Sequence, residues 1–425
     1  FIILKILLRK ENGTRSLHKM NRKSLISLLK NRDYILLQIG IFISRSGSFM
    51  QDVAVNWQLY QLTKSPLSLG VLGLAKFIPV LIFSMISGMA ADVFNRKKII
   101  SLVQFFSILN ALVLAILTIS GKITPLLIYL LVGLEAGLYS FETPARQSIL
   151  PNIVKKEDFS LAININNILF NSTKFIGPAI SGFIIAFSGV QSVYFINAFS
   201  FLAVLIVLLF MNPIKKNFKK QPIFNLKGMK EGIDFVFKTP IIYGSMFIDF
   251  VATFFASAST LMPIFAVDIL KVGPKELGFL YAIPSIGAIM AGILFPFINR
   301  IKNKGKLLIL SVCFYGLNIV LFAFSKNFYL SLLFIGLSGA GDMISAVIRN
   351  IMRQLNTADD LRGRMTAVNM VFYTGGPQLG ETEAGIVAHF MGTPLSVAFG
   401  GIATIIATIY IAVKTPELLN YKDRD

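Results

Sequence analysis

The chain is 425 residues long, 55% hydrophobic and only 15% charged, with a formal net charge of +20 and a mean hydropathy of +0.70. That is more apolar material than one core can bury, which excludes an ordinary soluble domain. A lone cysteine, Cys313, excludes an intrachain disulfide.

The apolar residues fall in runs of bilayer length, about 20 residues per helix. They predict an all-α membrane protein of twelve transmembrane helices in two six-helix bundles. The chain opens with FIILKILLRKENGTRSLHK, whose apolar part is too short to span and carries no small-residue cleavage site. Met20 begins a natural-looking start, so residues 1–19 are taken as non-native or dispensable within an N-terminal cytoplasmic segment, 1–33. A short interfacial helix is the alternative. Six spans follow near 34–60, 66–91, 99–120, 124–149, 160–186 and 191–211, giving an N-terminal bundle over 34–211. A basic linker at 212–240 carries Lys215, Lys216, Lys219, Lys220, Lys227, Lys230 and Lys238. Spans near 241–270, 275–298, 307–325, 328–350, 364–391 and 394–413 make a C-terminal bundle over 241–413, with a tail at 414–425.

A charge of +20 invites a nucleic-acid reading, but the placement of the charge argues against it. Of the Lys and Arg residues, 31 lie in the N-terminal segment, the even-numbered loops and the C-terminus; only Lys64, Lys122, Lys271, Lys275 and Lys326 fall in odd-numbered loops. This is the positive-inside asymmetry, and it places both termini and the linker in the cytoplasm. The partner it implies is the lipid bilayer.

Between the second and third spans the chain reads SGMAADVFNRKKII. It resembles the signature Gly-x-x-x-Asp-Arg-x-Gly-Arg-Arg/Lys of the major facilitator superfamily, with Gly88, Asp92, Arg96 and Lys97 in register. Val93 replaces an arginine and Asn95 the turn glycine, Asn being able to adopt a left-handed backbone there. The resemblance implies a gating loop in which the aspartate and the basic residues grip neighbouring helix ends. A basic loop that only enforces topology is the alternative. An internal repeat weighs against it: Gly292, Asn299 and Arg300 stand 204 positions after Gly88, Asn95 and Arg96, and Arg349 stands 203 after Arg146, although Pro296 takes the place of Asp92. Two homologous halves would give this spacing.

Ionisable groups inside the spans cost about 2.5–3.5 kcal/mol each at a helix centre. Glu135, Glu142 and Arg146 fall at i, i+7 and i+11 on one helix face; Asp342, Arg349 and Arg353 repeat that spacing, and Arg45 and Asp52 are seven apart. Such stripes face a cavity or a partner, here a central cavity in which acids paired with arginines bind protons and organise cargo. The alternative is a structural ion pair, Glu142 with Arg146, and for Arg353 a place at the cytoplasmic end. Asp249 is a further, weaker candidate, and His389 is taken as a packing residue.

Gly177, Pro178 and Gly182 in KFIGPAISGFII resemble the Gly-Pro-x-x-Gly-Gly element of exporters in the superfamily, with Ser181 in place of one glycine. Ordinary tight packing is the bland alternative. The penultimate span holds Glu381 and Glu383, two apart and so on different faces. Its run LRGRMTAVNMVFYTGGPQLGETEAGIVAHFMG, with ETPARQSILPNIV at 142–154, resembles the enterobactin-exporter and macrolide-efflux branch, the transmembrane secretion effectors.

The resemblance implies a multi-pass transporter of the bacterial cytoplasmic (inner) membrane, a monomer. It would export an amphipathic small molecule, siderophore or drug-like, by proton antiport and alternating access. Macrolide or multidrug efflux and lipid handling are the alternatives within transporters. No phosphate-binding Gly-x-x-x-x-Gly-Lys-Ser/Thr loop occurs, so ATP drive is not expected. Two His and one Cys, unclustered, make an intramembrane enzyme remote, and neither cofactor nor metal is expected.

Overall fold

The computed structural model describes residues 24–212, 226–298, 301–358 and 361–422. The segment 1–19, the first four linker lysines, and Asn299 with Arg300 therefore lie outside the described residues, as do some side chains within helices, Asp92 among them.

Twelve long helical elements are described. The first six are α1 Arg32–Thr63, α2 Pro66–Val93, α3 Arg96–Ile119, α4 Pro125–Ile153, α5 Phe159–Ser188 and α6 Val190–Phe210. The second six are α7 beginning at Pro240–Phe255, α8 Pro274–Ile298, α9 Lys304–Phe324, α10 Phe328–Leu355, α11 Arg362–Met391 and α12 Thr393–Lys414. Among the described residues ten spans are long and apolar enough to cross a membrane; α1 and α11 are too polar to qualify by composition alone. Their polarity belongs to the charges considered below.

Local chemistry sets the boundaries. Proline opens α2, α4, α7 and α8, where its missing N–H costs nothing. Asparagine side chains cap α1, α3, α9 and α10 by accepting from backbone N–H groups of the first turn. Gly189 and Gly392, with φ of 78° and 84°, are the single-residue turns joining α5 to α6 and α11 to α12. A positive φ at both junctions favours glycine, and the two lie 203 positions apart.

The repeat governs packing as well. Within the first six helices the main pairs are α1 with α5 and α6, α2 with α4, and α3 with α4 and α6. Within the second six they are α7 with α11 and α12, α8 with α10, and α9 with α10 and α12. Each pair in one half has its counterpart six helices on. The two halves touch mainly through α2 with α11 and α5 with α8, again a repeat-related pair.

The outer surface is apolar: Phe187, Leu209 and Phe390 are at least 80% exposed. Polar side chains are instead buried between helices, as in Gln51 with Asn197 at 2.8 Å and Tyr194 with Gln58 at 2.7 Å. This inversion suits a hydrocarbon surround, where unsatisfied polar groups are expensive.

α7 is discontinuous. Its helix stops at Phe255 and resumes irregularly through Ile269. The interrupted backbone is satisfied by protein: the Tyr315 hydroxyl donates to the Ala256 carbonyl at 3.1 Å, and the Thr260 hydroxyl donates to the Leu69 carbonyl of α2 at 3.1 Å.

Two peripheral segments are more ordered than a linker and a tail suggest. Within the linker, Leu226–Lys238 forms a helix that buries Val236 beside Met365 and pairs Glu231 with Arg364. The expected tail folds back as far as Lys422, where Leu418 is buried and the Tyr421 carbonyl accepts from Gly305 N–H at 3.0 Å. On the N-terminal side, Ser24 and Ser27 donate their hydroxyls to Asp158 between α4 and α5 and hold its carboxyl below the usual range.

Candidate functional site

Among the described residues, three charge clusters lie between the helices. The first lies in the first half: Glu142 of α4 stands 3.5 Å from Arg45 of α1 and 4.0 Å from Arg146 one turn away. The Arg45 guanidinium also stacks 4.0 Å from the centre of the Tyr139 ring. Glu135 does not join this group. It accepts hydrogen bonds from Ser107 at 2.9 Å and Asn110 at 3.0 Å, both on α3, so the predicted stripe on α4 divides between two neighbours.

The second cluster lies in the second half. Arg349 of α10 contacts Asp249 of α7 at 2.9 Å and Asp342 at 3.6 Å, and Arg353 contacts Asp249 at 3.5 Å. Asp249, a minor candidate in the sequence, is the acid both arginines share. The halves also exchange signs: Arg45 on α1 and Asp249 on α7 are 204 positions apart, so the repeat keeps a charged site and inverts its charge.

The third cluster corrects a sequence expectation. Arg45 is not the partner of Asp52, because its guanidinium is taken by Glu142. Asp52 lies 3.6 Å from Lys76 of α2, which also lies 3.8 Å from Glu381 of α11. Lys76 escaped the sequence reading; its only signal is a lone cation inside the apolar run that opens α2. Glu383, two residues from Glu381, points elsewhere and has no polar partner among the described residues.

The loop between α2 and α3 divides likewise. Arg96 donates to the Ser148 carbonyl of α4 at 2.8 Å, and the Lys97 ammonium donates to the Leu208 and Met211 carbonyls at 3.0 and 2.7 Å, capping the end of α6. Those carbonyls have no intrahelical partner, so a cation suits them. Gly88 faces open space. Asn95 is not a left-handed turn: its φ and ψ are −66° and 114°, and its side chain caps α3 through Lys97 N–H. An N-cap needs an extended backbone and a short acceptor, which Asn supplies. His389 is exposed, its ring edge-on to Phe390, not packed.

Small residues form the contact between halves. A Cβ on Gly182 would lie 2.6 Å from the Pro274 carbonyl and 2.9 Å from Gly278 Cα of α8; one on Gly385 would lie 2.4 Å from Gly70 Cα. Gly177 faces α1 instead, 2.7 Å from the Ser46 carbonyl, and Pro178 presents its carbonyl to Gly278. Ser181, standing where the exporter element has glycine, donates to the Met50 carbonyl at 2.8 Å.

These contacts lie toward one end of the molecule, that of the odd-numbered loops. There Tyr60 of α1 donates to Asp268 beyond the α7 break, and Phe183 stacks edge-on against Phe279. At the opposite end the polar contacts described above stay within each half: Arg96 and Lys97 with α4 and α6, Tyr421 with the start of α9. Among the described residues no three His, Cys, Asp or Glu side chains converge as metal ligands.

Solved structures share this arrangement. A bacterial homologue of the iron transporter ferroportin, in an inward-facing state, superposes with a TM-score of 0.69 at 16% identity, covering 93% of this chain and all of the other. A bacterial homologue of the lysosomal transporter Spinster gives 0.70 at 13% identity, covering 92% and 96%. Fold and helix composition define a multi-pass helical membrane protein with the fold of these solved transporters. More particularly, residues 24–423 match the transmembrane secretion effector family, and the chain belongs to it. The enterobactin exporter EntS of Escherichia coli is 25% identical over 414 residues, 95% of this chain and 97% of the relative. The staphyloferrin A transporter of Staphylococcus aureus is 25% identical over 375 residues, 87% and 92%. The multidrug efflux pump Tap of Mycolicibacterium fortuitum is 25% identical over 375 residues, 85% and 91%.

Proposed function

We propose that the protein exports an amphipathic small molecule across the bacterial cytoplasmic membrane by alternating access, coupled to proton entry. All twelve helices cross the bilayer in this reading. The linker at 212–240 divides the chain into two bundles, and both termini lie in the cytoplasm. The observation that carries it is the joining of two repeat-related halves at the odd-loop end, with buried charges beside the join. Under the positive-inside orientation that join closes the outer side, and cargo enters from the cytoplasm between the halves. The names of the siderophore-handling relatives favour a siderophore-like cargo. The similarity to a multidrug pump supports a second reading, drug efflux, through the same pathway.

In the cycle we assign Arg96 and Lys97 to the gating loop, as anchors that keep α3, α4 and α6 moving together, with Asp92 as its acid. The cluster at Asp249 holds the second half rigid, and Glu142 is assigned with Asp52 to proton exchange. Asp52, half-exposed at membrane depth, is a carboxylate accessible to protons and cargo.

The test is efflux from vesicles under an imposed proton gradient, beside cellular accumulation of siderophore and drugs in a deletion strain. Asp52→Asn with Glu142→Gln should abolish the gradient dependence while cargo still binds. Unchanged dependence in the double variant would reject proton coupling at these acids.

A further inference from the structure

The seam between α2 and α11 contains an ion pair that joins the two halves. Read inward from the odd-loop end, Gly70 meets Gly385, and Gly73 lies against the Gln378 carbonyl and the Thr382 side chain. One turn deeper Lys76 reaches Glu381. Close backbone approach at the glycines brings these longer side chains within reach of each other. Lys76 and Glu381 side chains are each 18% exposed, whereas that of Asp52 is 54% exposed. The Tyr281 hydroxyl of α8 is buried, with no hydrogen-bond partner among the described residues, within electrostatic reach of both acids.

This triad differs from the other two clusters in two ways. Its bridge crosses between halves, whereas the Glu142 and Asp249 clusters stay inside theirs. It also lies outside the repeat: the positions corresponding to Asp52, Lys76 and Glu381 hold Ala256, Leu280 and Pro178. The duplicated architecture alone does not call for it.

We propose that Lys76 is the coupling charge of the cycle: held by Asp52 in its own half, it clamps Glu381 of the other half while the outer side is closed, and releases it on opening. The inference rests on the alternating-access reading above. In a rigid-body rotation α1 and α2 travel together, so the contact of Lys76 with Asp52 survives. α11 travels with the opposite half, so the contact with Glu381 does not. A carboxylate deprived of its ammonium at membrane depth must gain water, a proton or a cationic group of the cargo. Opening is thereby tied to a change in what Glu381 binds. Asp52 keeps the ammonium oriented between openings, which makes it a positioning residue.

Spin labels at Lys122→Cys and Lys326→Cys, on exposed odd-numbered loops of the two halves, report the outer opening in nanodiscs with Cys313→Ser as background. Two distances are expected, the short one dominant. Lys76→Gln should raise the ratio of long to short at least about fivefold, Glu381→Gln equally, and the double variant no further. Glu231→Gln, which breaks an exposed ion pair away from the seam and leaves the clamp in place, should shift the ratio by less than about twofold. Two distances in the parent protein, with smaller shifts in both Lys76→Gln and Glu381→Gln, overturn the clamp and leave alternating access standing. One short distance in every variant overturns both.

Discussion

Asp249 is the acid that two buried arginines of the second half share. Its two carboxylate oxygens face Arg349 and Arg353, and both arginine side chains are under 10% exposed. Removing one partner of a buried pair leaves the other charge uncompensated, at a cost of about 3–5 kcal/mol. Asp249→Asn should therefore destabilise the protein by that order, read as a lowered melting temperature in detergent. Asp342→Asn should cost much less, because the Asp342 side chain is 50% exposed and Arg349 keeps its shorter contact with Asp249. Equal losses from the two substitutions would mean that Asp249 is not the shared acid. On the α4 stripe, a period of 3.6 residues aligns Glu135, Glu142 and Arg146, yet Glu135 is satisfied by neutral donors and Glu142 by two arginines. Alignment on one face says that a residue has a partner, not which one.

Among elements, the glycine contacts fall into two kinds with different consequences. Gly287 of α8 lies inside one half, where a Cβ would meet the Gly336 carbonyl at 1.8 Å; Gly385 lies between halves. A methyl at Gly287 overpacks a contact that persists throughout the cycle. Gly287→Ala should cost about 1–3 kcal/mol in stability. Gly385→Ala wedges apart only the outer-closed arrangement, so it should favour outer opening with a smaller loss of stability. Cysteines at Phe183 and Phe279, whose ring centres are 5.7 Å apart, supply the readout. Their cross-linking should fall several-fold with Gly385→Ala and hold in the folded fraction of Gly287→Ala. The reverse pattern would remove the distinction between static and moving seams.

For the whole molecule, orientation is the property on which the gating argument turns. The 31 basic residues of the termini, even-numbered loops and linker should hold those parts in the cytoplasm. Reporter fusions within 212–240, at Lys98 and at the C-terminus should be active only as cytoplasmic reporters, and fusions at Lys122 and Lys326 only as external ones. An external linker would invert every assignment of inner and outer side made here, leaving the repeat and the seams intact.

The sequence by itself determined the twelve long helical elements within a few residues, apart from the break in α7 and the helix in the linker, together with the likeness of the two halves and the family. These are local or repetitive properties: a run of apolar residues fixes a helix, proline and asparagine fix its start, and duplication shows as a constant offset. It also located most of the interior charges, because a charge in an apolar run stands out. Tertiary structure decided the pairings. Lys76 binding Asp52 and Glu381 joins residues more than 300 positions apart, and Asp249 with Arg349 joins two that are 100 apart. Helical periodicity gives the face on which a side chain lies, whereas its neighbour is set by how twelve rods pack around one another. The sign inversion between Arg45 and Asp249 needed both: the offset is written in the chain, and only the packing shows that each charge meets its opposite inside its own half.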